Sequence, residues 1–166
     1  MLLTYIADKQ PDLFLDLAYH IFDTDQNDLV PVVVSLLELL GSEEALTLLQ
    51  VGREKIGSPF IRTYCTLGLL RLTKEECYRA PIHEYIKQQD INELLRLRPP
   101  VPWDVNVQAA PHTLTLEERS LLFIESLEAL ARTQDRDAIK QLLRVIQLGN
   151  PQNRALLAAL LSFCSR

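Results

Sequence analysis

Residues 42–72 have the sequence SEEALTLLQVGREKIGSPFIRTYCTLGLLRL, and this stretch decides the fold class. Its apolar residues recur three and four positions apart on both sides of the break Gly57-Ser58-Pro59. That spacing puts apolar side chains on one face of a helix, and a proline after a capping residue suits a first helical turn. Ser42 is the predicted N-cap of the first helix, because a serine oxygen accepts a bond from the unpaired backbone N–H groups there. The stretch therefore predicts two short helices with a tight connection.

The same helical spacing continues through most of the 166-residue chain. Val30–Val34 is rich in β-branched residues and alone would favour a strand, but the period of the whole segment favours a helix. Asp28 is its predicted N-cap, and Gly41 its predicted C-terminal residue. Five glycines are few for the many turns of a β-sandwich or barrel, so the predicted fold class is all-α. The predicted helices begin near Pro11, Asp28, Ser42, Pro59, Lys74, Ile91, Leu116, Arg136 and Arg154. The helix from Lys74 is expected to be interrupted near Pro81, and the helices from Ile91, Leu116 and Arg136 are expected to end at Arg98, Arg132 and Leu148. Thr115 and Glu118 predict a capping box at the start of the helix from Leu116.

Residues 135–164, DRDAIKQLLRVIQLGNPQNRALLAALLSFC, repeat the pattern of residues 42–72. Ala45 aligns with Ala138, and after a gap of one residue the motif Pro-x-x-Arg at Pro59 aligns with the same motif at Pro151. Each stretch is an Ala-aliphatic helix, a Gly/Pro break and a Leu/Ala helix. Residues 12–41 repeat the architecture in about the same length, which indicates a chain of repeated helix pairs.

This pattern resembles the HEAT repeat, including the short bacterial HEAT-like type. The resemblance implies an α-α superhelix of stacked antiparallel helix pairs, a HEAT/armadillo-like solenoid, in which neighbouring pairs bury the face that one pair leaves exposed. It also implies a single helical repeat domain over residues 1–166, irregular in residues 73–115. The apolar residues at both ends leave two explanations open: a segment of a longer solenoid, or ends that pack on a partner or a second copy.

The composition of the chain limits the classes of partner and the location that we expect. The formal net charge is -5, which gives no global positive field for phosphates, so nucleic-acid binding is not expected. No apolar run approaches the roughly 20 residues of a membrane span, and the first eight residues have no basic start, so we expect neither a membrane protein nor a secretory signal. The three cysteines match no metal spacing and are predicted to be small buried side chains with reduced thiols. The expected location is the cytoplasm.

No motif for catalysis, a metal or a cofactor is present. His83-Glu84 begins like the zinc motif H-E-x-x-H, but Lys87 stands where the second histidine is needed. Residues 23–27, with Asp-x-Asp-x-Asn, begin like an EF-hand loop that then lacks its glycine and its final glutamate. We therefore expect no catalytic residue, no metal and no cofactor. The alternative is a helical-repeat enzyme or enzyme subunit acting on nucleic acid or a prosthetic group, which a deep pocket with clustered Asp, Arg and His near Trp103 would favour.

Two surfaces are candidates for a protein partner, and the predicted function is a non-catalytic scaffold or adaptor. The first is the concave surface formed by the second helix of each pair. The second is the loop of residues 99–115, which holds four of the nine prolines and the single tryptophan. The alternatives are that the arginines bond within the repeat array and that Trp103 packs back on the helices. The predicted partner-binding residues are Trp103, Pro102, Asp104, Arg62, Arg71 and Arg154.

Overall fold

A computed structural model describes residues 2–55, 57–90, 94, 114–151, 153–155 and 157–158. The chain divides into two compact units, an N-terminal unit of residues 1–81 and a C-terminal unit of residues 82–166. Every element among the described residues is a helix, which confirms the predicted all-α class for that part of the chain. No helix in these ranges is long and apolar enough to cross a membrane.

The N-terminal unit holds five complete helices and the beginning of a sixth. The first helix was not predicted from the apolar pattern, whereas the next ones begin at or near the predicted positions. The sixth contains the boundary between the units and is continuous through Pro81, so the predicted interruption there is wrong. The helices are α1 (Leu2–Lys9), α2 (Pro11–Asp23), α3 (Val30–Leu40), α4 (Glu43–Arg53), α5 (Pro59–Thr73) and α6 (Glu76–Lys87).

The ends of α3 and α4 follow the chemistry of their capping residues. Gly41 ends α3 in the left-handed conformation, at φ 57°, and its N–H bonds to the Leu37 carbonyl, as predicted. Ser42 caps α4 by accepting a bond from the Ala45 N–H at 3.2 Å, which confirms that prediction. The prediction for Asp28 is wrong: Leu29 is the N-cap residue of α3 and makes no side-chain cap bond, because the helix begins later, with proline in its first turn.

Helix α5 forms the centre of the N-terminal unit, where it packs on α3 and α4. Its glycine Gly68 allows close approach, since a Cβ atom there would lie 2.9 Å from Cγ1 of Val34. Burial of each large apolar side chain stabilises the fold by about 1.5–3 kcal/mol. The buried residues of α5 are Phe60, Ile61, Tyr64, Cys65, Thr66, Leu67, Gly68, Leu69 and Leu70.

Lys55 ties the connection after α4 to the end of α2. Its ammonium donates hydrogen bonds to the carbonyl oxygens of Phe22 and Asp23 and forms an ion pair with Asp25 at 3.1 Å. The last carbonyls of a helix have no partner within the helix, so an external donor satisfies them. A cation is also favourable at the negative end of the helix dipole.

The C-terminal unit contains the end of α6 and two further helices, α7 (Leu116–Arg132) and α8 (Arg136–Leu148), which pack on each other. Both have the predicted bounds. Thr115 and Glu118 form the predicted capping box at the start of α7. The described residues from Pro151 to Ala158 are also helical, in agreement with the predicted final helix.

A buried amide joins three segments of the C-terminal unit. The Asn153 side chain accepts a bond from the Ser120 hydroxyl at 2.6 Å and donates to the Leu94 carbonyl at 2.8 Å. Its backbone N–H bonds to Oδ1 of Asn150 at 2.9 Å. A buried polar group is stable only when it is hydrogen-bonded, so these bonds determine how the three segments pack.

Two predictions concern parts of the chain that are only partly described. Of the helix expected from Ile91 to Arg98, the structure describes Leu94, and of the loop expected over residues 99–115 it describes residues 114 and 115. The described residues 73–90 are mostly helical. The solenoid and the single repeat domain over residues 1–166 stay predictions.

Candidate functional site

A groove of about 490 Å³ lies between α2 and α4 in the N-terminal unit. The volume falls within the range of roughly 300–1,000 Å³ typical of ligand sites, so the groove has room for several side chains. Helix α2 contributes residues that share one face, at spacings of one and four positions. Helix α4 contributes its first two turns and Val51. The lining residues are Leu15, Asp16, Tyr19, Glu43, Glu44, Thr47, Leu48 and Val51.

Three carboxylates give the groove a negative rim. Asp16, Glu43 and Glu44 line it and are exposed, and they carry three negative charges at neutral pH. Hydrogen bonds from the backbone N–H of Glu44 itself and from the Ser42 hydroxyl lower the pKa of the Glu44 carboxyl. The rim therefore holds its charge at neutral pH and attracts cations.

Apolar side chains form the rest of the groove. Leu48 is buried at its base, whereas Tyr19 and Val51 expose 56% and 51% of their surfaces. Single exposed apolar residues are normal on protein surfaces, but these two line the same groove. A partner that covers them gains from the removal of apolar surface from water. The groove thus combines an electrostatic attraction with an apolar contact surface.

The two predicted arginines of α5 do not share one side of that helix. Arg71 lies on α5 and is paired with Glu38 of α3 at 3.2 Å, with both side chains largely buried. Arg62 is exposed on the same helix. Nine positions separate the two residues, and at about 100° per residue they point to opposite sides of α5. Arg154 is exposed in the C-terminal unit. Their role in partner binding stays a prediction.

The other predicted contact residues, Pro102, Trp103 and Asp104, lie outside the described residues. The prediction that the loop of residues 99–115 contacts a partner is therefore not tested by the structure, and neither is the alternative of an enzyme with a pocket near Trp103. Within the described ranges, no group of three or more His, Cys, Asp or Glu side chains is placed to hold a metal.

One histidine–carboxylate pair lies in the C-terminal unit. His83 Nε2 is 2.9 Å from Asp135 Oδ2, while the other carboxylate oxygen accepts bonds from the N–H groups of Asp137 and Ala138. Burial acts to raise the pKa of Asp135, but the Ala138 N–H, the His83 charge and the Asp137 N–H together hold it below its usual value. Asp135 is the N-cap residue of α8. One of its carboxylate oxygens caps the helix, and the other contacts His83.

The described cysteines are free thiols with raised pKa values. Cys65 is buried in α5, and burial raises the pKa of its thiol far above the usual value. Cys77 is exposed, so the prediction that it is buried is wrong, and partial desolvation and the nearby Glu75 carboxylate raise its pKa. The thiolate is the reactive form of cysteine, so both sulfurs are largely unreactive at neutral pH.

We did not predict the α2–α4 groove from the sequence. The predicted surface was that of the second helices, whereas the groove lies between α2 and α4, the first helices of their pairs in the repeat alignment. Glu43 and Glu44 gave no signal of binding, because the helix dipole favours acidic residues in any first turn. A signal was present in Tyr19 and Val51, apolar residues on the exposed sides of their helices.

No family model, curated protein or solved structure matches this chain. A functional proposal therefore rests on the groove, the helix contacts and the charges of the described residues. The resemblance to the HEAT repeat stays a prediction.

Proposed function

We propose that this chain is a HEAT-like helical repeat protein that acts as a non-catalytic adaptor. The observation that carries the proposal is the groove of about 490 Å³ between α2 and α4, with its acidic rim and exposed apolar walls. The occupant that fits this chemistry is a basic amphipathic helix of a partner protein. An amphipathic helix in a groove is a common mode of peptide recognition, in which apolar side chains at helical spacing act as anchors.

The electrostatics and the apolar surface have separate roles in this proposal. Lysine or arginine side chains on the partner helix approach Asp16, Glu43 and Glu44, which raises the association rate and selects partners by charge. The apolar face of the partner covers Tyr19 and Val51, and this burial slows dissociation. Binding therefore weakens as salt rises, but apolar contacts retain part of the affinity.

The helix contacts support the repeat architecture. Helix α4 packs on α5, as the two helices of a pair would, and α2 contacts α3 although its main contacts are with α1. Across the pairs, α2 contacts α4 and α3 contacts α5. Ser42 and Asp135, aligned in the repeats, both cap a helix by bonding an alanine N–H three residues on, at 3.2 and 2.9 Å. This is the pattern expected when neighbouring pairs cover each other's apolar faces.

A cytoplasmic location forms part of the proposal. The exposed Cys77 is a free thiol, and free exposed thiols are typical of proteins in reducing compartments. Fractionation of source cells, with the chain detected by antibody, tests the location. Recovery from an oxidising compartment would contradict it.

A binding measurement with the full chain tests the adaptor proposal. The probe is a fluorescent synthetic helix with leucine on one face and lysine beside it, and the reference probe has glutamate in place of lysine. We expect the lysine probe to bind and the glutamate probe to bind at least about tenfold more weakly. The variant Glu43→Gln/Glu44→Gln removes two rim charges and should reduce binding of the lysine probe by a similar factor.

A matched control separates the groove from the overall negative charge. Glu75→Gln/Glu76→Gln changes the net charge by the same amount, at the start of α6 and away from the groove. It should leave binding within about twofold of the unmodified chain, since exposed charges beyond a Debye length are largely screened. Equal loss in the two variants, or no binding of either probe, would reject the α2–α4 groove as a docking site.

A further inference from the structure

Helix α8 carries an apolar stripe that the C-terminal unit leaves exposed. Its buried side consists of Ala138, Leu142 and Val145. A second set of apolar residues lies next to that side at helical spacing and exposes 41, 52 and 46% of its surface. This stripe is formed by Ile139, Leu143 and Ile146.

A row of cations flanks the α8 stripe. Arg136, Lys140 and Arg144 are exposed and follow one another at four-residue spacing, so they lie along one side of the helix. Their contacts are with exposed neighbours: Lys140 with Asp137 at 3.5 Å and Arg144 with Gln141 at 3.4 Å. Such surface contacts contribute little, so these cations remain available to a partner.

The repeat alignment places a cation of α8 at the position of one rim carboxylate of α4. Aligning Ser42 with Asp135 aligns Glu43 with Arg136, and it aligns Thr47 and Val51 of the groove with Lys140 and Arg144. Cations of α8 therefore stand where α4 has one carboxylate, Glu43, and two uncharged residues of the groove, while Glu44 aligns with the acidic Asp137. The exposed side of α8 is a basic amphipathic helix, which is the chemistry that the acidic groove accepts.

We propose that α8 of one copy of this chain docks in the α2–α4 groove of a second copy. The inference rests on the proposed function, since it names a partner for the same groove. In the docked pair, Leu143 and its stripe neighbours cover Tyr19 and Val51, while Lys140 and Arg144 approach the carboxylates of the rim. The two surfaces differ, so each copy keeps one groove and one helix open, and the assembly grows or closes into a ring.

Sedimentation velocity over a range of protein concentrations tests the proposal with two variants. The groove variant is Tyr19→Ser/Glu43→Gln/Glu44→Gln, and the stripe variant is Lys140→Glu/Leu143→Gln/Arg144→Glu. All six positions are exposed, and thermal unfolding followed by circular dichroism checks that each variant folds. We expect the unmodified chain to associate beyond a dimer, and each variant alone to associate at least about tenfold more weakly.

Mixing the variants distinguishes this arrangement from others. The intact stripe of the groove variant meets the intact groove of the stripe variant, so an equimolar mixture should form a one-to-one dimer that grows no further. Association of the groove variant with itself would indicate a symmetric stripe-to-stripe contact and overturn the proposal. A monomer at all concentrations, in the unmodified chain and in the mixture, would overturn it as well.

The synthetic lysine probe separates failure of this inference from failure of the proposed function. If the stripe variant binds the probe in a way that depends on Glu43 and Glu44, while no self-association occurs, then the adaptor groove stands and the second copy is not its occupant.

Loss of self-association at high ionic strength in the unmodified chain gives a test without any substitution. Association that is insensitive to salt would contradict the charge pairing.

Discussion

Gly52 of α4 packs against Cys65 of α5 so closely that a Cβ atom at Gly52 would overlap the Cys65 sulfur. The same Cβ atom would lie 3.2 Å from Cδ2 of Phe22 in α2. Three helices therefore approach one another at a position where a side chain is absent. Gly52 is the last residue but one of α4, where a glycine costs at most about 1 kcal/mol in helix propensity, and close packing of α4 on α5 is its structural explanation.

The variant Gly52→Ala tests this packing. The added methyl group must displace the Cys65 sulfur or the Phe22 ring, and overpacking of a core costs about 1–3 kcal/mol. Better helix propensity offsets up to about 1 kcal/mol, so we expect a net loss of stability by chemical denaturation. In Gly52→Ala/Cys65→Ala the sulfur is gone, so the loss should be smaller than the sum of the two single losses.

Gly57→Ala is the matched control, because a Cβ atom at Gly57 meets nothing within 4 Å. It should be neutral or stabilise by up to about 1 kcal/mol, since alanine reduces the entropy of the unfolded chain. Equal destabilisation by the substitutions at Gly52 and Gly57 would show that backbone preference, and not helix packing, selects glycine at position 52.

The sequence predicted the helices best where local chemistry marks their ends. Gly41 and Ser42 stand at adjacent helix ends, and the capping box of Thr115 and Glu118 marks the start of α7. These signals act within four residues, so they are visible without any knowledge of the fold. The prediction for Asp28 was wrong because it also used only local signals. Asp28 is a good capping residue near the start of α3, but the chain turns through Leu29 before the helix begins.

Contacts between distant residues could not be predicted in this way. The groove needs Tyr19 and Val51 on two helices to lie near each other, which depends on how α2 packs against α4. Lys55 likewise looks like an ordinary surface lysine in the sequence, yet it bonds carbonyls more than thirty residues away. Such roles follow from tertiary packing, and local patterns carry no signal for them.

The variant Lys55→Met tests the tie between α4 and α2. Methionine keeps much of the apolar stem but removes the donor, so the Phe22 and Asp23 carbonyls lose a partner. We expect a loss of about 1–3 kcal/mol in the free energy of unfolding. Asp25→Asn removes the charge of the half-exposed ion pair and suits the left-handed backbone of this residue, at φ 53°, so it should cost at most about 1 kcal/mol.

Lys9→Met is the control for the Lys55 variant. Lys9 is exposed and contacts the neighbouring Asp8, so its loss should change stability by no more than about 0.5 kcal/mol. If Lys55→Met and Lys9→Met have the same effect in urea titrations, the bonds from Lys55 to α2 contribute nothing measurable.

The variant Asn153→Ala tests the buried amide of the C-terminal unit. It leaves the Ser120 hydroxyl and the Leu94 carbonyl without this partner, and a buried polar group that loses its bond costs about 1–3 kcal/mol. Thermal unfolding should therefore occur at a lower temperature than in the exposed control Gln147→Ala. Because Ser120→Ala removes one of the same bonds, the losses of Ser120→Ala and Asn153→Ala should not add. Strict additivity would indicate that the two side chains act independently.

The pH dependence of stability tests the cap and ion pair of Asp135. Its pKa in the folded chain is held below the ordinary value of 3.8, so the ionised form stabilises the fold. This contribution is complete above the ordinary carboxyl pKa and is lost as the pH falls through the lowered pKa. Asp135→Asn lacks the charge, so the difference in unfolding free energy between the two chains should shrink in acid. Asp137→Asn, the same substitution on an exposed residue of the same helical turn, should cost less stability than Asp135→Asn at neutral pH. If both variants give the same pH profile, the Asp135 carboxylate has no special role in stabilising α8.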